Sequence, residues 1–287
     1  MMSQMQDELP LLHEFVVTAG SIIGREHVRI HRNNQDGVAL HVEDEWIVGV
    51  VADGCSSSRY SEVGARLGAA WIVAHLPRLL DVASPETSLD RVSEELLDYL
   101  AIVAKGLDPE HVVSPAVVGD FLLFTFLVAV VTRKKSLIFG LGDGVFSANG
   151  HVSVLDSGRD NAPRYLSYRL VPSSVDPHFR EGVSPDRDAS LEVSLRPRLH
   201  FEAQTSEVES LIIGTDGVAD LIDRSEDSDS EDGLPTQLQQ FEQDPLYLRN
   251  PTLVHKRLVT LGETQRRLAD DTTVVLIRRR PSGPASW

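Results

Sequence analysis

The residues best suited to chemistry in this chain are aspartates at the ends of apolar runs. Val48-Gly49-Val50-Val51-Ala52 leads into Asp53-Gly54, SLIFGL (136–141) passes through Gly142 into Asp143-Gly144, and Leu211-Ile212-Ile213-Gly214 passes through Thr215 into Asp216-Gly217. A mirror-image case is Asp270-Asp271, which opens the run Thr272 to Ile277. Alone, Asp-Gly is a common turn dipeptide. At the tips of strands in one core, several carboxylates would crowd together, and their repulsion would raise their affinity for protons. A bound dication removes that cost. A hard oxygen set without His or Cys selects Mg²⁺ or Mn²⁺ over zinc or copper. Two such ions would acidify a water between them, and the resulting hydroxide could attack phosphorus in line. The glycine after each aspartate lets backbone approach closely and can offer its carbonyl.

Routes through a protein nucleophile fit less well. A cysteine-dependent phosphatase needs an arginine at a fixed step beyond its thiol; at that step from Cys55 stands Ser61, with Arg59 too early and Arg66 too late. No Gly-x-Ser-x-Gly elbow and no His-Glu-x-x-His pair occurs. Gly140-x-Gly142-x-Gly144 lacks the third-glycine spacing of a dinucleotide loop. His27 and His31 read as polar surface on a half-exposed strand, and Cys55 as a small filler.

The elements that must position the aspartates follow from periodicity. Phe15 to Val42 reads as strands and turns, with His27, Arg29 and His31 alternating with Val28 and Ile30 as a half-buried strand. Trp46 to Ala52 is a fully buried strand by its β-branched content. Ser61 to Leu80 is a helix capped by Ser61, with Val63, Leu67, Trp71 and Ala74 on its apolar face. Leu89 to Val103 is a second helix. Phe121–Val131 and Ser136–Leu141 form a hairpin, so the sheet is at least partly antiparallel. Residues 156–200 read as an irregular excursion. Leu211–Gly214 and Thr272–Arg278 are strands, and 236–243 and 251–268 are helical. The acidic run SEDSDSEDG (225–233) reads as a disordered loop and 281–287 as a disordered tail.

Composition narrows the class. The chain has 287 residues with 41% hydrophobic and 24% charged content, ordinary for a globular protein. Its formal net charge of −16 disfavours nucleic acid. The single cysteine excludes an internal disulfide and a thiolate zinc site. No apolar run reaches membrane-spanning or signal length, so a cytoplasmic protein without membrane contact is expected.

The aspartate motifs, in order, resemble those of the bacterial type 2C (PPM-type) metal-dependent protein phosphatases. DGCSSSRYSEVGAR (53–66) resembles their Asp-Gly motif with its Gly-Ala-Arg helix entry, and Asn34-Gln35-Asp36 their upstream Asn-Glu/Gln-Asp. Gly142-Asp143-Gly144 resembles their Gly-Asp-Ser, Thr215-Asp216-Gly217 their Ser-Asp-Gly, and Asp270-Asp271-Thr272-Thr273 their Asp-Asn/Asp-x-Thr. The resemblance implies an α+β fold over residues 10–280, a four-layer αββα sandwich of two mainly antiparallel sheets flanked by helices. It implies hydrolysis of phosphoserine or phosphothreonine on protein substrates with Mn²⁺ or Mg²⁺, as two ions or three. Asp53 would bridge two ions and Gly54 bind one through its carbonyl. Asp216 and Asp270 would hold the other, and Asp143 a third. Asp36 would sit behind the ligands and hold metal-bound water. There are departures. Gln35 stands where some members have a Glu ligand, Cys55 where eukaryotic members have a His general acid, and His31 about where the phosphate-gripping arginine falls, leaving Arg29 or Arg32 for that role. Two classes remain: a phosphoprotein phosphatase, and a catalytically weak relative serving as a binding or regulatory module. The oligomeric state stays open.

Overall fold

The apolar runs fold as strands buried on both faces. In β3 (Trp46–Gly54), Val48, Val50 and Ala52 point to one cluster and Ile47 and Val51 to another. In β4 (Phe124–Thr132), Phe126, Val128 and Val130 separate in the same way from Leu127, Ala129 and Val131. Successive side chains alternate across a strand, so a run without polar residues needs cover on both sides. A slip of one residue would exchange the two sets, which pins the register.

The computed structural model describes residues 10–156, 163–171, 195–222, 237–265 and 267–281. The run 225–233 and the tail residues 282–287 lie outside them.

The cover is layered. One five-stranded antiparallel sheet has the order β2 (Gly37–Val42), β3, β4, β5 (Lys135–Leu141), β8 (Arg198–Gln204). The other has the order β1 (Phe15–Ile22), β10 (Thr272–Arg279), β9 (Ser210–Gly214), β6 (Gly144–Ala148), β7 (His151–Leu155). Two short helices, α1 (Leu11–Glu14) and α2 (Arg25–Arg29), flank β1 along the chain. Leu127, Val131 and Ile138 of the first sheet pack against Phe146, Ile213, Val275 and Ile277 of the second. The outer face of the first sheet packs on α3 (Ser61–Leu79), α4 (Pro85–Leu107) and α5 (Pro115–Phe121). The outer face of the second carries helices at Gln237–Gln243, Leu246–Arg249 and Leu253–Val259, the last running into a π turn at Thr260–Thr264. The αββα sandwich of two antiparallel sheets is therefore observed. Each fully buried Val, Leu or Ile contributes roughly 1.5–3 kcal/mol relative to exposure.

Several local expectations are corrected. Residues 27–31 are not a strand: α2 buries His27 and leaves Val28 and Ile30 more than half exposed. The apparent alternation is one short helical turn, fixed by Arg25 and Glu26 amides donating to the Leu268 and Ala269 carbonyls. In α3 the buried face is Gly64, Ala65, Gly68, Ala69, Trp71, Ile72 and Leu76; of the expected face Trp71 is buried, Val63 and Leu67 are half-buried and Ala74 is exposed. Small residues win that face because Phe121, Leu122 and Phe124 press against it. Ser61 is the first helical residue rather than the cap; its hydroxyl donates to the Cys55 carbonyl. Phe121 ends α5, so the strand begins at Phe124. The second helix extends over Pro85–Leu107, and the helical reading of 251–268 stops at the π turn. Strands β6 and β7 have no counterpart in the periodicity, and β8 begins inside the segment read as irregular.

Candidate active site

Antiparallel neighbours run in opposite directions, so one end of the sandwich collects the carboxyl ends of β3, β5 and β9 and the amino ends of β2, β6 and β10. The aspartate motifs sit at those termini: Asp36 before β2, Asp53 at the end of β3, Asp143 between β5 and β6, Asp216 after β9, Asp270 before β10. The β5–β6 link passes from one sheet to the other through Gly142 (φ 100°) and Gly144 (φ 135°). Only glycine takes those angles readily, and side chains there would strike Thr125 and the Gly214 carbonyl.

Asp53, Gly54, Asp143, Asp216 and Asp270 line one cavity of about 370 Å³, together with His27, Cys55, Thr125 and Tyr165. Asp36 lies beneath, 4% exposed; one oxygen accepts from the Thr215 hydroxyl at 2.9 Å and the other, Oδ1, has no partner among the described residues. Asp143 Oδ1 is also buried and unpartnered among them.

Electrostatics record the crowding. Burial, then the charges of Asp271 and Asp216, pushes Asp36 well above the usual carboxylate range. Burial, then the charges of Asp36, Asp216 and Asp143, does the same to Asp53. Asp143 rises to about 6 through burial and the charge of Asp216. Asp216 is raised by burial and by the charge of Asp270, and it interacts directly with Asp53. Carboxylates that hold protons this tightly and leave buried oxygens unpartnered form a donor set that a dication would satisfy. The residues present thus fit the metal ions expected from the motifs.

The positions around this set sort themselves. Gln35 stays out of the cavity lining; its amide donates to Ser61 Oγ at 2.6 Å and its backbone N–H to Asp271 at 2.6 Å. Asp271 also accepts from the Gly24 amide at 2.7 Å, so it ties the α2 loop to β10. Arg29 is not brought to the cavity: it pairs with Glu26 at 2.8 Å on the surface. Arg32 donates to the carbonyl of Ser56, a lining residue, and to Gln35 Oε1 at 3.4 Å. His31 is exposed, as expected, but His27 is not polar surface: it is 7% exposed and its ring lies 2.8 Å from Asp271. Cys55 is likewise more than a filler. Burial raises its thiol, but hydrogen bonds with Ser57, Tyr165 and Ser58 outweigh that and lower it. Asp271 was legible as half of an acidic pair, whereas no local signal marks Tyr165 or Thr125.

Comparison with known proteins agrees with this geometry. Residues 23–246 match the protein phosphatase 2C family model. No curated protein sequence matches the chain. The serine/threonine phosphatase Stp1 from Staphylococcus aureus superposes with a TM-score of 0.56 at 14% identity, over 98% of this chain and 100% of that one. A serine/threonine phosphatase of S. agalactiae gives 0.55 at 13% identity, over 93% and 100%. Serine-threonine phosphatase 2C from Toxoplasma gondii gives 0.53 at 15% identity, over 93% and 95%. At such identities the likeness is one of fold. The family match spans well over half of the chain, and this protein therefore belongs to the protein phosphatase 2C family of metal-dependent serine/threonine phosphatases.

Proposed function

We propose that the chain hydrolyses phosphoserine and phosphothreonine on protein substrates in the carboxylate-lined cavity, with two Mn²⁺ or Mg²⁺ ions and a third, weaker one. The observation that carries this reading is the convergence of four aspartates, from four separate chain segments, on that one cavity. Asp53, Gly54 through its carbonyl, Asp216, Asp270 and Asp143 would hold the ions, with Asp53 between the two tighter ones and Asp143 at the weaker one. When bound, these ions supply an acidified water and neutralise phosphoryl charge.

The chain's own residues do the rest. Asp36 Oδ1, buried and unpartnered among the described residues, accepts a hydrogen bond from the attacking water and orients it. Thr215 fixes the Asp36 carboxylate through its other oxygen. Arg32, anchored on Ser56, supplies positive charge at the rim for the phosphate. Arg29 lies on the surface beside Glu26 and outside the cavity lining, so it does not share that work. The retained ligand set favours an enzyme over a binding module. The test is turnover of p-nitrophenyl phosphate and of a phosphothreonine peptide. Activity should require added Mn²⁺ or Mg²⁺ and vanish with EDTA; undiminished turnover after exhaustive chelation would overturn the reading.

A further inference from the structure

We propose that His27 is a nitrogen ligand of the ion held by Asp270, so that this centre takes a transition metal such as Mn²⁺ in preference to Mg²⁺. The inference rests on the reading of Asp216 and Asp270 as ion ligands, which by motif alone form an all-oxygen set.

His27 is a buried histidine in a place where burial is costly. It is 7% exposed, it lines the cavity, and its Nδ1 faces Asp271 Oδ2 at 2.8 Å. The Nδ1 edge is turned inward onto Asp271, and the other ring nitrogen, Nε2, lies 3.9 Å from Asp270 Oδ1. One donor atom from each of His27, Asp270 and Asp271 falls within 4.8 Å of the others. An ion with bonds of about 2.1 Å closes such a span after a small side-chain adjustment.

The two acids differ in what they have left to give. Asp271 already accepts from the Gly24 and Gln35 amides, so it is suited to holding the imidazole. Asp270 is half-exposed and turned to the cavity. A carboxylate behind a histidine whose far nitrogen faces an ion is a recurrent arrangement that fixes the ring and strengthens it as a ligand. The backbone couples the parts. Arg25 and Glu26 amides bond to the Leu268 and Ala269 carbonyls, and Gly24 packs so closely on Asp270 that a Cβ there would sit 2.2 Å from its carbonyl carbon. The helix that carries His27 is thus seated on the segment that carries Asp270. Imidazole suits transition metals, whereas Mg²⁺ prefers oxygen donors and its own waters.

The test uses the full chain loaded with Mn²⁺ and pulsed EPR, which detects ¹⁴N coupling from a directly bound imidazole. Wild type should show the coupling and His27→Gln should lose it. By calorimetry, His27→Gln should weaken Mn²⁺ binding well beyond any effect on Mg²⁺ binding. Mn²⁺ bound to wild type without ¹⁴N coupling overturns the proposal, as does coupling that survives in His27→Gln. Equal losses for both ions would make His27 a positioning residue and overturn its role as a ligand. Failure of wild type to bind Mn²⁺ at all overturns the reading of Asp216 and Asp270 as well. The wild-type spectrum decides the matter even if the variant does not fold.

Discussion

Asp53 is buried among the charges of Asp36, Asp216 and Asp143, and two outcomes follow at the scale of that residue. Asp53→Asn should lower kcat by roughly a thousandfold or more, because it removes the charge shared by two dications. The same change relieves repulsion with Asp36, Asp216 and Asp143, so the metal-free variant should melt at a higher temperature than wild type at pH about 8. Near wild-type turnover would remove Asp53 from its bridging role. Asp143 gives a pH signature. Its folded pKa is raised from 3.8 to about 6, so its contribution to stability is complete below the ordinary value and is lost as pH rises through about 6. Asp36, Asp53 and Asp216 shift in the same direction. The melting temperature of the metal-free chain should therefore fall between pH about 4 and about 6, and Asp143→Asn should flatten the slope there. A slope unchanged by that substitution would show that Asp143 is not the titrating group. These roles are partly legible in the sequence: an aspartate after a buried apolar run announces a strand tip. The environment of His27 is not, because five residues of alternation fit a strand and a single helical turn equally well.

At the scale of the element, α3 is decided by packing over propensity. Helix propensity alone favours Gly→Ala by about 0.8–1 kcal/mol in a helix interior. At Gly64, however, a Cβ would lie 2.4 Å from the Phe121 carbonyl oxygen and 2.8 Å from Leu122 Cα, both backbone. Overpacking of that kind costs typically about 1–3 kcal/mol, which outweighs the gain. Gly64→Ala should therefore lower the denaturation midpoint. At Gly106, near the end of α4, an added methyl group would have nothing within 4 Å, so Gly106→Ala should raise stability by up to about 1 kcal/mol. Urea titrations of both variants check the opposite signs; a stabilised Gly64→Ala would mean that α3 can move off Phe121. The sequence pattern locates α3 to within a residue but catches only the edge of the buried face, at Trp71. Glycine and alanine carry little hydrophobic weight in a periodicity count, yet they line the contact because the neighbouring backbone and aromatic rings leave no room for more.

At the scale of the whole molecule, net charge governs encounter. A formal charge of −16 repels acidic peptides and attracts basic ones at long range. Phosphopeptides flanked by Lys or Arg should show higher kcat/KM than acidic ones at low salt. The ratio should shrink as ionic strength rises from about 0.02 M to about 0.3 M, where the screening length falls below about 10 Å. A ratio independent of salt would place specificity in short-range contacts at the cavity. No helix among the described residues is long and apolar enough to cross a membrane.

The chain by itself determined buried strands and an antiparallel hairpin from Phe124 to Leu141, because unbroken apolar strands require cover on both faces; the four layers came from the resemblance of its motifs. It also determined the aspartates at strand tips, since Asp53, Asp143 and Asp216 follow their runs within one residue and Asp270-Asp271 opens one. Only the tertiary structure decided which of the surrounding groups join them. Cys55 and Tyr165 meet across the cavity, Gln35 turns away to Ser61, and Arg29 leaves for Glu26. His27 reaches Asp270 and Asp271 across more than two hundred residues of sequence. Such contacts depend on how two sheets and a short helix are docked, and local periodicity carries no information about partners that distant.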